Sequence, residues 1–99
     1  MSLSKTPLWQ RLGVEVLGTM LLAFVVVATG QFLAIGAALA AAVWAGGALS
    51  GGAFNPAITF VLYLGRQLSV GDAALYTAAQ VVGAGAGFGL ARLLTANQR

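Results

Sequence analysis

A polar, turn-forming stretch at residues 50–59 interrupts the middle of a chain that is otherwise strongly apolar. It contains two adjacent glycines, then the pair Asn55-Pro56, and an apolar segment follows over residues 58–64. Asparagine is favoured at a helix N-cap because its side chain bonds free N–H groups, and proline is favoured at the first helical position. The pattern therefore predicts an irregular loop followed by a helix that begins at Pro56. A helix of about eight to ten residues cannot cross a hydrocarbon layer of roughly 30 Å.

The same stretch has a second interpretation, a Gly-Pro kink inside one long helix, because Asn-Pro pairs are common at turns. A loop at mid-membrane depth has stricter requirements than a kink. Its backbone N–H and C=O groups cannot be satisfied by lipid, so it has to lie within protein or along a watery cavity. The short helix would also direct its N-terminus, with about half a positive charge, at the bilayer centre. This arrangement predicts a polar site that repels cations.

The composition indicates that the environment of this stretch is a membrane. Of the 99 residues, 60% are hydrophobic and 7% are charged, whereas a soluble domain carries about 25% charged residues. We therefore expect an all-α, multi-pass membrane protein, with the plasma (inner) membrane as its location. The net charge of +3 is spread over both ends, which predicts no nucleic-acid partner. Because the chain has no His and no Cys, we expect neither an enzyme nor a metal or other cofactor.

Three apolar runs are long enough to span a bilayer. We predict these spans at residues 12–29, 32–48 and 73–94, with the re-entrant loop and half-helix at about 49–64. The expected architecture is thus three transmembrane helices plus one re-entrant half-helix in a single domain over residues 1–99.

Residues beside the spans carry further expectations. Trp9 and Arg11 fit an interfacial anchor, although a signal peptide is an alternative for this region. Asp72 is expected to cap the last span, and Arg66 with Asp72 to form a solvated connector. Two aromatic residues could lie either at the membrane interface or in the packed interior: Trp44 and Tyr76. Four alternating glycines permit close helix packing against a helix that the sequence does not identify: Gly83, Gly85, Gly87 and Gly89.

Four motifs, in order and in spacing, resemble the aquaporin and glycerol-facilitator (major intrinsic protein) family. Asn55-Pro56-Ala57 resembles the first Asn-Pro-Ala signature, and Glu15-x-x-Gly18-Thr19 resembles the motif of the first helix. Residues 33–36 and 79–84 are similar to the second and third helices. The resemblance covers residues 12–94 and implies a passive channel for water and/or small neutral solutes such as glycerol. The family fold contains two inverted repeats, and this chain matches one of them, a half-aquaporin.

The resemblance also implies roles for individual residues. Asn55 would donate its amide to passing solute, while Pro56 and Ala57 would hold two half-helix tips together. The pore would be lined by the backbone carbonyls of Gly51, Gly52 and Ala53. The selectivity filter would contain Ile35, Gly52 and Ile58, without Arg or His, which predicts a wider and less selective pore. Two buried polar residues would be structural: Glu15, which would bond the loop backbone (a proton relay is the alternative), and Gln80.

One repeat alone would expose its loop to lipid, which predicts a partner. The simplest partner is a second copy inserted upside down, giving an antiparallel homodimer, with four dimers (an octamer) suggested by the tetramers of the family. The basic residues are Lys5, Arg11 and Arg66 on one side and Arg92 and Arg99 on the other. A margin of one predicts insertion in both orientations. The alternatives are a half-channel that needs a separate sister chain and a non-conducting structural or truncated repeat.

Overall fold

Four α-helices make up most of the protein, whose residues 3–96 are described by a computed structural model. A short 3-10 turn, Leu3–Lys5, precedes the helices α1 (Leu8–Thr29), α2 (Phe32–Ser50), α3 (Pro56–Leu64) and α4 (Val70–Thr95). Three of them, α1, α2 and α4, are long and apolar enough to cross a membrane. The expected all-α architecture with three candidate membrane spans is therefore confirmed.

The three long helices extend further than the sequence predicts. Helix α1 begins at Leu8 rather than at residue 12, α2 continues to Ser50 rather than 48, and α4 begins at Val70 rather than 73. The prediction that Asp72 caps α4 is wrong. Ser69 has the extended cap backbone, and its Oγ accepts the N–H of Asp72 at 3.0 Å. Asp72, which the prediction assigned to a connector, is thus helical, whereas Arg66 lies in the turn between α3 and α4.

A glycine turn joins α1 to α2. Gly30 has the left-handed backbone that glycine tolerates, with φ of 57°, and its N–H donates to the carbonyl of Val26 at 3.0 Å. Gln31 then caps α2, because its Oε1 accepts the N–H of Ala34 at 2.7 Å. Helix α2 buries one narrow stripe of small residues, spaced four apart: Ala38, Ala42, Gly46 and Ser50.

Helices α1 and α4 run in the same direction and pack closely. Gly83 lies against Val16, and Gly87, further along α4, lies against Met20, further along α1. A Cβ built on Gly83 would lie 2.4 Å from the carbonyl oxygen of Val16, and one on Gly87 would lie 2.4 Å from that of Met20. Gly85 and Gly89 face open space. Only alternate glycines of the run therefore allow the close approach, and the helix that they face is α1.

The loop (residues 51–55) reverses the chain between α2 and α3. Gly51 and Gly52 both have positive φ, 90° and 66°. Helix α3 then returns alongside the end of α2, because Leu62 Cδ1 lies 3.2 Å from the position of a Cβ on Gly51. The alternative of a kink in one long helix is wrong. Asn55 caps α3 and Pro56 is its first residue, as predicted.

The tip of α3 lies about halfway along α1. Phe54 packs its ring against Gly18, which is the eleventh of the 22 residues of α1. From this level α3 runs for nine residues, about 14 Å, back towards the end at which α1 and α4 begin.

The structure gives the environment of each residue that the sequence analysis considered for the membrane interface. Arg11 is buried, with 5% of its surface exposed, so the prediction of an interfacial anchor is wrong for Arg11. Trp9 is exposed, as an anchor requires. Trp44 is exposed at 88%, whereas Tyr76 is fully buried. The two aromatics for which the sequence left both environments open are thus separated by the tertiary structure.

Candidate functional site

The first turn of α3 presents a polar tip on an exposed face. Asn55 has an extended backbone with φ of −157°, and its Oδ1 accepts the N–H of Ile58 at 3.0 Å. Because the cap uses the oxygen of the amide, the Nδ2 group is left as a free donor, and no bond to it occurs within residues 3–96. Asn55, Pro56 and Ala57 are all exposed on this face of the chain.

The loop carbonyls are a set of free acceptors below this tip. The N–H of Gly51 donates to the carbonyl of Gly47 at 2.8 Å, and that of Gly52 donates to Ser50 Oγ at 3.2 Å. In the described part of the chain, no donor bonds the carbonyl oxygens of Gly51, Gly52 or Ala53. The loop thus bonds the N–H groups of Gly51, Gly52 and Phe54 within the protein and leaves three carbonyls without a donor. Gly51 and Gly52 are half-buried, whereas Ala53 is 2% exposed. Acceptors without a protein donor are what a path for a hydrogen-bonding solute requires.

Phe54 connects the loop to the middle of α1. Its φ of 55° is in the left-handed region, which is rare for a bulky residue and needs support from its surroundings. Its N–H donates to Glu15 Oε1 at 2.8 Å, and its carbonyl accepts from Thr19 Oγ1 at 3.3 Å. A Cβ on Gly18 would lie 2.1 Å from the Phe54 ring. Each residue of the Glu15-x-x-Gly18-Thr19 motif therefore contacts Phe54.

Glu15 is the centre of a buried polar network and is 0% exposed. Its Oε2 accepts from Ser50 Oγ at 2.7 Å, in addition to the Phe54 N–H bond at Oε1. The Tyr76 hydroxyl donates to the carbonyl of Ser50 at 2.7 Å. The end of α2 is thus held both by α1 and by α4. The bond from the Phe54 N–H to Glu15 is the contact with the loop backbone that the predicted structural role of Glu15 requires.

Gln80 extends the network to α3. Its Nε2 donates to Glu15 Oε1 at 2.8 Å and to Thr59 Oγ1 at 2.7 Å. The Thr59 hydroxyl in turn donates to the carbonyl of Asn55 at 3.0 Å. One chain of hydrogen bonds therefore runs from α1 through α4 to the residue at the α3 tip.

The sequence did not single out Ser50, Thr59 or Tyr76 as site residues. A signal for the first two exists, since a polar side chain in an apolar segment needs an internal partner. For Tyr76 no local signal exists, because the same residue type is common at membrane interfaces.

The predicted filter residues lie at two separate levels of one chain. Ile35 is half-buried on α2, fifteen positions before Ser50, which is about 22 Å along a helix. Gly52 belongs to the loop, and Ile58, 42% exposed, to the first turn of α3. One chain therefore does not bring Ile35 together with Ile58.

An ion pair closes the end of the bundle at which α1 and α4 begin. Both terminal nitrogens of Arg11 lie 3.3 Å from Asp72 Oδ2, and Arg11 Nε donates to the carbonyl of Thr6 at 2.9 Å. The prediction of a solvated connector is therefore wrong for Asp72, which pairs with α1. Arg66, with φ of 63°, is exposed.

Comparison with known proteins identifies the family. A family model described as Major intrinsic protein matches residues 29–99. The chain belongs to this family. The resemblance to aquaporins and glycerol facilitators is thereby confirmed, as is the membrane location. Members of the family are channels rather than enzymes, which confirms the expectation that the chain is not an enzyme.

Individual relatives match parts of the chain. "Glycerol uptake facilitator protein-like 6" of Lactiplantibacillus plantarum is 43% identical over 79 residues, covering 71% of this chain and 37% of that protein. "Probable aquaporin PIP2-8" of Oryza sativa subsp. japonica is 56% identical over 46 residues, covering 46% and 16%. Human "Aquaporin-5" is 50% identical over 58 residues, covering 59% and 22%. The chain thus spans well under half the length of these relatives. No solved structure matches the chain at a significant level.

Proposed function

We propose that this member of the major intrinsic protein family forms a passive channel for water and small neutral solutes such as glycerol. The observation that supports the proposal is the α3 tip, which presents the free Asn55 Nδ2 donor halfway along the bundle, beside loop carbonyls that no protein donor within residues 3–96 occupies. Family membership supports the same function. The matched relatives named for glycerol uptake and as aquaporins support this class of solute.

Conduction needs no covalent step. A neutral solute exchanges its hydrogen bonds with water for bonds to the Asn55 amide and to the carbonyls of Gly51, Gly52 and Ala53. A cation that reaches the same level meets the N-terminus of α3, which carries about half a positive charge. The donor and this dipole end together repel cations and orient a solute oxygen towards Asn55.

The second wall of the pore is provided by another copy of the chain, inserted upside down. In lipid, the exposed backbone at the α3 tip would lack hydrogen-bond partners, so a protein surface has to cover it. A two-fold axis in the membrane plane brings two such tips together at Pro56 and Ala57. The chain is one repeat of the pore, with α3 as its re-entrant half-helix, and four such dimers form the octamer.

The distribution of basic residues supports insertion in both orientations. Arg11, beside Asp72 at 3.3 Å, lies at the same end as Lys5 and Arg66. Two further basic residues follow in the sequence, Arg92 on α4 and Arg99, which lies outside the described residues. The positive-inside rule counts Lys and Arg and gives acidic residues little weight, so an excess of three over two sets only a weak preference.

The selectivity filter of this dimer combines both copies. Ile35 of one copy lies at the same mouth as Gly52 and Ile58 of the other, because the two-fold axis reverses their order along the membrane normal. The constriction that these residues form is apolar and uncharged, so it admits glycerol as well as water. Ile58→Arg is expected to lower the ratio of glycerol to water permeability. An unchanged ratio would mean that Ile58 is not part of the filter.

Stopped-flow light scattering of proteoliposomes tests conduction. Vesicles that contain the chain should shrink in hyperosmotic sucrose faster than empty vesicles, with a weak temperature dependence. Asn55→Asp is the matched variant, because it keeps the capping oxygen but replaces the amide donor by a carboxylate. It should shrink more slowly at equal protein content. Wild-type vesicles that behave like empty ones would contradict the proposed function or indicate a missing sister chain.

Disulfide formation tests the antiparallel dimer, since the chain has no native Cys. Ala57→Cys should cross-link two copies under mild oxidation, because Ala57 lies near the proposed axis. Ala37→Cys is the control: it is exposed on α2 but far from mid-depth, so an axis in the membrane plane keeps its two copies apart. Equal cross-linking of both variants, or C-terminal reporters confined to one side of the membrane, would contradict the antiparallel dimer.

A further inference from the structure

The turn that precedes α1 packs directly against the back of the loop. Leu3 is 5% exposed and belongs to a buried cluster with Ala53, Leu68 and Tyr76. A Cβ built on Gly51 would lie 2.8 Å from Leu3 Cδ1. The Leu3 side chain therefore fills the space that a side chain at Gly51 would occupy, and it contacts two of the three residues whose carbonyls are proposed to line the pore.

Two hydrogen bonds fix this turn in place. The N–H of Thr6 donates to the carbonyl of Leu3 at 3.3 Å, and the carbonyl of Thr6 accepts from Arg11 Nε at 2.9 Å. Arg11 also pairs with Asp72 of α4. Chain segments that precede a first helix are poorly ordered unless such contacts hold them. Here the segment is connected to α1 and α4 at once, so Leu3 is held against the loop.

The loop is supported differently on its two sides. Three of its N–H groups are held by hydrogen bonds: Gly51 donates to Gly47, Gly52 to Ser50 and Phe54 to Glu15. On its apolar side, Gly51 and Ala53 have little or no side chain of their own with which to pack. Leu3 and Leu62 supply the missing contact there.

We propose that Leu3 is a positioning residue for the pore loop: by packing behind Gly51 and Ala53, it fixes the direction of the loop carbonyls and thereby the solute selectivity of the channel. The packing part of this inference stands on the contacts of Leu3, while the selectivity part rests on the proposed function. The turn lies outside residues 29–99, to which the family model matches.

Hydrogen–deuterium exchange of the loop amides tests the packing part independently of conduction. The N–H groups of Gly51, Gly52 and Phe54 are all hydrogen-bonded, so their exchange reports opening of the loop. Leu3→Ala should accelerate this exchange about tenfold or more, and Leu3→Val by a smaller factor. Leu33→Ala is the matched control, because Leu33 is exposed on α2. Leu33→Ala should leave the exchange rates of the loop amides unchanged.

Two results would overturn the packing part. The first is that the loop amides of Leu3→Ala exchange at the wild-type rate. If Leu3→Ala does not fold, the same result in Leu3→Val would count. The second is an equal acceleration in the second half of α1, which would indicate general destabilisation rather than support of the loop.

The ratio of glycerol to water permeability tests the selectivity part. Leu3→Ala should change the ratio about twofold or more at equal dimer content, and Leu3→Met, which preserves most of the apolar volume, should restore it. An unchanged ratio in vesicles where the wild type conducts would overturn the positioning role. Absence of wild-type conduction would instead contradict the proposed function, and the exchange result would still decide the packing part.

Discussion

The half of the bundle that contains the loop is packed around polar side chains, whereas the opposite half is packed around small residues. In the loop half, Glu15, Thr59 and Gln80 are buried and joined by hydrogen bonds. In the opposite half, α1 and α4 approach each other at Gly87, and Ala91 of α4 is fully buried. Within residues 3–96, every hydrogen bond between two side chains lies in the loop half or at its end.

The difference follows from the backbone of each half. In the opposite half all three segments are regular helices, which satisfy their own N–H and C=O groups, so close packing of small residues is sufficient. In the loop half, the helical hydrogen bonds stop at Ser50 and resume at Pro56. The interrupted backbone needs partners, and Glu15, Thr19 and the other polar side chains provide them. Polar residues therefore occur at the depth where regular structure ends.

Removal of Glu15 should have the largest effect on stability. Glu15→Leu removes the acceptor of the Phe54 N–H, of the Ser50 hydroxyl and of one of the two Gln80 amide hydrogens. We expect a loss of roughly 4 kcal/mol, measured by helical circular dichroism during titration with SDS in mixed micelles. Glu15→Gln is the control, because it keeps one acceptor oxygen and should lose about half as much. Equal stability of Glu15→Leu and Glu15→Gln would contradict the conclusion that buried polar side chains stabilise the loop half.

Enlarging a glycine of the opposite half should have a smaller effect. Gly87→Ala places a methyl group 2.4 Å from the Met20 carbonyl, so α1 and α4 have to separate. We expect a loss of about 2 kcal/mol in the same titration. Gly85→Ala is the matched control on the same helix, with nothing within 4 Å of the new methyl group, and should change stability by less than about 0.5 kcal/mol. Similar losses at both positions would argue against close packing as the main interaction.

The smallest effect should come from the ion pair at the end of the loop half. Asp72 is 30% exposed and Arg11 is 6% exposed at their side chains, so water screens the pair in part. A double-mutant cycle with Arg11→Met and Asp72→Asn should give a coupling energy of about 1 kcal/mol. Added salt should reduce the coupling. A coupling energy near zero would mean that the pair does not contribute to holding α1 against α4.

The sequence alone determined the features that depend on near neighbours in the chain. The start of α3 at Pro56, its Asn55 cap and the Gly30 turn each involve bonds across three or four residues, so residue types at fixed spacing are enough to predict them. The membrane environment likewise follows from composition. The same local reasoning placed the start of α4 wrongly, because Asp72 has a residue type that is common at caps, but the cap backbone lies three residues earlier at Ser69.

Only the tertiary structure decided which distant residues meet. The Tyr76 hydroxyl reaches a carbonyl 26 positions away, and the Gln80 amide reaches Glu15 across 65 positions. The partner of Arg11 and the glycines that face α1 were undetermined for the same reason. Each depends on how the helices pack, and no local spacing encodes the rotation of one helix against another. In this chain, local chemistry therefore determines where the helix breaks, and long-range packing determines which side chains stabilise the break.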